Sequence, residues 1–245
     1  MSLTNLLKDS FNSFKQHWLI SIGVVFIYYT IATFVLLIIS FLIGFFFGLI
    51  FYSNPDLAQA FAQGLNQFVQ LIFLTPAILG FYYFSFNVSR DSNPGFRDML
   101  FGYKQKWIVS ILTQLALYVV FLGYMALAII IGYGIYTLIP NIWLMIFYAI
   151  LISIPCFVIS LMFSQVWLII TDNDEVGVIE AFSISMKIMQ GYKTKYFLLQ
   201  LILFFSSFLF TILTCGFGLI ALIPYLLVVQ CKFHDYIKKN PVSTS

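Results

Sequence analysis

The chain has 245 residues, of which 62% are hydrophobic and 9% are charged, against about 25% charged in soluble domains, and its mean hydropathy is +1.00. No soluble fold has an interior large enough to hide that much apolar surface, so the composition defines a polytopic membrane protein and leaves no room for a soluble catalytic domain beside it. The net charge of +3 is small and dispersed along the chain, so no nucleic-acid-binding surface is expected.

The chain opens with an amphipathic stretch. Leu3, Leu6, Leu7, Phe11 and Phe14 share one helical face, and Lys8, Asp9, Asn12 and Lys15 share the other, which predicts a helix lying in the membrane interface. Uncharged tracts follow at 16–55, 57–89, 107–171 and 196–231. A spanning helix needs about 20 apolar residues, so the first two tracts hold one span each, near 18–50 and 66–89. Pro55 opens a further amphipathic turn ahead of the second span. A second interfacial helix is expected from the Asn93-Pro94 cap, with Phe96, Leu100 and Tyr103 in its stripe. The tract 107–171 must fold as two spans, near 107–138 and 142–171, around Ile139-Pro140-Asn141. A third interfacial helix is expected from Asp174, with Ile179, Phe182, Met186 and Met189 in its stripe. The last tract breaks around residues 214–218 into spans near 196–213 and 218–236. These predict an all-α fold of six transmembrane helices in a single membrane domain, 1–245, with a short polar tail at 238–245.

Basic residues orient the spans. All twelve fall before residue 16, at 90–106, at 187–195 or after 231, on alternate connections. The positive-inside rule then places both termini in the cytoplasm of a multi-pass inner (plasma) membrane protein. The first apolar run is too long and starts too late for a cleavable signal.

Three of the basic segments match one another. Ser13-Phe14-Lys15-Gln16-His17-Trp18, Gly102-Tyr103-Lys104-Gln105-Lys106-Trp107 and Gly191-Tyr192-Lys193-Thr194-Lys195-Tyr196 begin 89 residues apart each time. Interfacial anchoring explains Lys, Trp and Tyr at membrane edges, but not the equal spacing. The pattern predicts three pseudo-repeats, about 1–90, 91–175 and 176–237, each an interfacial helix followed by a transmembrane hairpin. Each return helix carries a proline, Pro76, Pro155 or Pro224, which removes a backbone donor and bends the helix. Thr75 and Ser153 stand close enough to take freed carbonyls. Gly44 and Gly48 fit a small-xxx-small helix contact.

The chemistry absent from the spans limits the function. No Asp, Glu, Lys or Arg falls within a predicted hydrocarbon core, which argues against a proton relay or an ion-coupled transporter. Gln70, Gln114, Gln165 and Gln200 read as helix-joining polar groups. His17 and His234 stand alone near span ends and read as anchors. Cys156, Cys215 and Cys231 lack metal-ligand spacing and read as buried thiols. The acidic run at 172–175 reads as a helix start. No catalytic residue, cofactor or metal is expected. The first span stays apolar for roughly 50 Å at 1.5 Å per residue, well beyond the roughly 30 Å hydrocarbon core. Tilt, a partner protein or lipid between the hairpins would cover the excess.

Residues 180–193, 197–201, 211–218 and 223–225 resemble a family of uncharacterised prokaryotic six-helix membrane proteins. That family is related to the membrane domain joined to some glycerophosphoryl diester phosphodiesterases, and the similarity is clearest over 176–237. The resemblance implies an integral membrane protein without assigned activity, because the phosphodiesterase chemistry belongs to a separate soluble domain. Two functions follow from the sequence as a whole. One is a non-enzymatic lipid-organising or membrane-complex accessory protein, with membrane lipids and a membrane-protein or homo-oligomeric partner. The alternative is a passive lipid or small-molecule transporter using a groove between hairpins. A membrane enzyme ranks last, since the spans offer no reactive cluster.

Overall fold

The computed structural model describes residues 2–139 and 141–240. They are helical, without strands, and six helices among them are long and apolar enough to cross a membrane. In chain order the helices are α1 (Leu3–Gln16), α2 (Trp18–Ile50), α3 (Pro55–Ser89), α4 (Phe101–Gln105), α5 (Trp107–Leu138), α6 (Ile142–Phe163), α7 (Val166–Asp172), α8 (Val178–Ile188), α9 (Lys193–Leu213) and α10 (Leu219–Lys239). A 3-10 turn, Phe96–Leu100, leads into α4. The spans are α2, α3, α5, α6 continued by α7, α9 and α10. Pro140, in the predicted turn between α5 and α6, and residues 241–245 of the predicted tail lie outside the described residues.

Several boundaries differ from the sequence reading. Asn54 caps α3 by accepting from the Leu57 amide, with Pro55 in the first turn, so the outer amphipathic turn and the second span form one continuous helix. The second interfacial helix begins at Phe96 rather than Asn93, whose φ is 47°. There the Asp98 carboxylate accepts from the Gly95 amide and from Asn87, each at 2.9 Å. Its buried residues are Met99, Phe101 and Gly102, while Phe96 and Leu100 face outward. The third begins at Val178, not Asp174. It buries Ala181 and Ser185 and leaves Ile179 87% exposed. In both, the stripe divides: Phe96, Leu100 and Ile179 are exposed, while Phe182 and Met189 pack into protein clusters.

The predicted span 142–171 is broken at Ser164-Gln165. Ser164 Oγ turns back to the Leu161 carbonyl at 2.8 Å, and Ser185 of α8 donates to the Met162 carbonyl at 2.6 Å. Side chains therefore satisfy backbone groups that the break exposes. The acidic run does not start a helix, because Asp172 ends α7.

Packing is concentrated at one end. Helix α3 is central and touches α2, α5, α7, α10 and the segment 96–105. Two glycines allow that segment to lie directly on α3. A Cβ on Gly80 would strike the Met99 backbone, and one on Gly102 would strike the Pro76 carbonyl. Helix α1 lies against α10, with Leu6 in a cluster containing Met189, Tyr196, Phe233 and Ile237. The first and last described helices therefore meet at one end of the bundle.

The far end is open. Helix α2 buries Ser21, Val24 and Val25 but nothing from Phe26 to Ile50. A Cβ added to Gly44 or Gly48 would meet nothing within 4 Å, so the predicted small-residue contact is absent. Beyond the packed end the contacts of α2 thin out to α3, where Phe47 and Phe51 stack on Phe61 near the outer turn.

Candidate functional site

Three arrangements bring polar groups together. The first ties the ends of the three return helices. Arg90, just beyond α3, donates through Nη2 to Asp172 at the end of α7 at 2.8 Å. It also donates to Asp235 of α10, through Nη2 at 2.5 Å and Nε at 3.1 Å. Lys238 reaches Asp172 at 2.6 Å. His234 faces Asp172 through Nε2 at 3.8 Å and Gln165 through Nδ1 at 3.1 Å. The Asp172 side chain is 6% exposed. Hydrogen bonding to Asp235, with a further contribution from Asp172, raises the Arg90 pKa against the opposing effect of burial. Two cations meet two carboxylates, so the charge is compensated locally and the cluster reads as a fastener.

The second arrangement surrounds the bend prolines. Proline lacks a donor, so Pro76 cannot bond the Ile72 carbonyl. The Trp107 indole donates to that carbonyl at 3.4 Å, and the Tyr103 hydroxyl donates to the neighbouring Phe73 carbonyl. In the second hairpin the Tyr124 hydroxyl donates to the Ile152 carbonyl, three residues before Pro155. Tyrosine and tryptophan on neighbouring helices thus serve these carbonyls. The nearby hydroxyl expected in that role, Ser153, instead bonds the Ile150 carbonyl at 2.7 Å. Pro224 lies inside α10 and is buried, whereas Pro155 is exposed.

The remaining motif residues separate by environment. His17 and Lys106 are the joints between an interfacial and a spanning helix, with φ/ψ of −119°/18° and −132°/31°. The Lys106 side chain is 6% exposed and donates to the Ile170 and Asn173 carbonyls at 2.5 Å, capping the end of α7. Burial lowers its pKa, opposed by Asp174 at 3.4 Å. Lys15, Lys104 and Lys195 are exposed, and Lys193 is half-buried. Trp18 is exposed, and Phe14 meets Tyr225 edge-on. Tyr192 and Tyr196 are buried, and the Tyr192 hydroxyl donates to the Asn240 carbonyl.

The third arrangement is a lateral groove of about 750 Å³ between α3 and α5, lined by Gln67, Gln70, Thr75, Gln114 and Tyr118 among apolar side chains.

Sequence reasoning missed the first cluster. His234, expected as an isolated anchor, is buried, and the Asp172 side chain is almost fully enclosed. The available signal was a set of charges at the ends of all three return helices. Among the cysteines only Cys231 is buried, while Cys156 is intermediate and Cys215 exposed. No group of three or more His, Cys, Asp or Glu able to hold a metal occurs among the described residues.

Six apolar helices and a polar girdle at one end define a multi-pass, all-helical membrane protein. The chain belongs to the DUF975 family, proteins of unknown function, whose model matches residues 13–241. No curated protein and no solved structure matches it.

Proposed function

We propose that this is a non-enzymatic, lipid-organising membrane protein, with both termini on the cytoplasmic face of a prokaryotic inner membrane. The observation that carries the reading is the asymmetry of packing. The hairpins are fastened together at one end by α1, α4, α7, α8 and the Arg90–Asp172–Asp235 cluster. Beyond that end the outer half of α2 buries no residue. Helices that diverge in a bilayer leave gaps that acyl chains fill. The exposed lysines of the packed end stand where anionic head groups attract basic side chains.

Purification in mild detergent, followed by lipid analysis and native mass spectrometry, tests the reading. Retained phospholipid or a co-purifying membrane protein is expected. A lone, lipid-free monomer overturns it. The orientation has its own check: a cysteine at Ser53 is labelled from outside intact cells and one at Ser92 is not, and the reverse pattern inverts the protein.

A further inference from the structure

The groove between α3 and α5 differs from the other bilayer-level surfaces in what lines it. Gln67 and Gln70, both exposed, and Gln114, half-buried, line it, each on a surface of the spans α3 and α5. The backbone carbonyls beside them at Ile72 and Phe73 are served by Trp107 and Tyr103. Where such an amide faces acyl chains rather than water, leaving it without a partner costs about 2–7 kcal/mol. Three in one groove call for a polar occupant.

The occupant must be narrow and polar, and it must enter from the side. The groove follows α3 from Gly64 to Ile78, about 21 Å at 1.5 Å per residue, against a roughly 30 Å hydrocarbon core, and it ends where the segment 96–105 lies on Pro76 and Gly80. Its volume of about 750 Å³ falls within the roughly 300–1,000 Å³ of small-molecule sites. Helix α5 leaves the packed end as α3 approaches it, so Gln114 stands near that end and Gln67 near the open end. The polar groups of α3, Gln67 to Thr75, are therefore stepped over about 12 Å of depth at 1.5 Å per residue. Every one is an amide or a hydroxyl, and no described Asp, Glu, Lys, Arg or His lines the path.

We propose that this groove is a passive path for phospholipid head groups between the leaflets, the acyl chains staying in the surrounding bilayer. The glutamine amides donate to phosphate and ester oxygens and accept from head-group donors, replacing hydrogen bonds to water in steps. Without a fixed charge the path does not select head groups by charge, and without an ionisable relay it runs down gradients only. The proposal rests on the reading that lipid occupies the gaps between hairpins, and it adds movement to occupancy.

Purified full-length protein is reconstituted into liposomes with trace phosphatidylcholine or phosphatidylglycerol carrying a head-group fluorophore, and dithionite bleaches the outer leaflet. The protein is expected to raise bleaching well above the protein-free plateau, at rates within about threefold for the two lipids. Gln70→Leu and Gln114→Leu together are expected to slow it at least tenfold while keeping the wild-type elution profile. Gln200→Leu, on α9 away from the groove, is expected to leave it unchanged. Bleaching at the protein-free plateau overturns the proposal, and if lipid still co-purifies the lipid-organising reading stands without it. Equal rates in the wild type and the double variant also overturn it, because lipid then crosses elsewhere. A dimer that the double variant dissociates does so too, since a second copy would occupy the groove.

Discussion

At the packed end a residue is judged by its neighbours, and at the open end by the solvent that bathes it. Leu79, Leu168 and Leu199 are fully enclosed by protein, while Phe41, chemically their equal, is 71% exposed on α2. In water the second condition is costly. In a bilayer it is neutral, because lipid tails are as apolar as leucine and the hydrophobic effect does not drive one helix against another. Association then needs close backbone approach or hydrogen bonds. Both occur at the packed end, in Gly80 and Gly102 against backbone and in Arg90 among carboxylates.

The largest expected break in this contrast is Arg90→Ala. It leaves the Asp172 and Asp235 side chains, 6% and 18% exposed, without the guanidinium they share. Removing one partner of a fully buried ion pair costs about 3–5 kcal/mol, and the 41% exposure of Arg90 with the remaining Lys238–Asp172 contact places this variant below that range, at about 1–3 kcal/mol. Thermal unfolding in mild detergent reads the loss, and adding Asp235→Asn should recover part of it. Phe41→Ala at the open end should change stability by less than about 0.5 kcal/mol, as exposed positions do. Equal losses for the two would show that the open end is packed in the membrane after all.

A pair of glycines gives a cleaner version. Gly80→Ala pushes a methyl into the Met99 backbone, which cannot rotate away, and overpacking of this kind costs about 1–3 kcal/mol. Gly44→Ala meets nothing within 4 Å. It should be neutral or stabilise by up to about 1 kcal/mol, because alanine loses less backbone freedom in a helix. The same substitution is therefore expected to carry opposite signs at the two ends. Destabilisation by both would place a neighbour against the Gly44 face of α2.

The spans are legible in the sequence because charge-free length is all a bilayer asks for: residues 18–50 and 107–138 fold as α2 and α5 with those bounds. The interfacial helices are less legible. Their stripes suggest a lipid-facing side, yet the stripe residues Leu6 and Met189 are buried in protein, and a stripe does not say which apolar medium covers it. The charge cluster joins Arg90 to Asp172 and to Asp235, on different hairpins, and no local period records such a contact. Gln70 and Gln114 are visible as intramembrane amides. That they share one groove depends on how α5 crosses α3, and neither segment encodes this alone.

The finest test separates the two proline bends. Tyr103→Phe removes the donor to the Phe73 carbonyl at the packed end, where Tyr28 also stands 3.3 Å from the Tyr103 hydroxyl. Tyr124→Phe removes the donor to the Ile152 carbonyl beside the exposed Pro155. Interhelical hydrogen bonds in membranes contribute about 0.6 kcal/mol each, and up to about 1.7. Tyr103 serves two partners, so its loss should approach the upper figure, while that of Tyr124 should lie near the mean. The signatures also differ in kind. Losing the Tyr103 contact loosens segment 96–105 on α3 and speeds amide exchange there, whereas losing the Tyr124 contact frees α6 from α5 and leaves the packed end protected. Exchange that rises at the packed end in both variants would mean that the second hairpin is held by its fastened end alone, with Tyr124 merely relaying strain along α6.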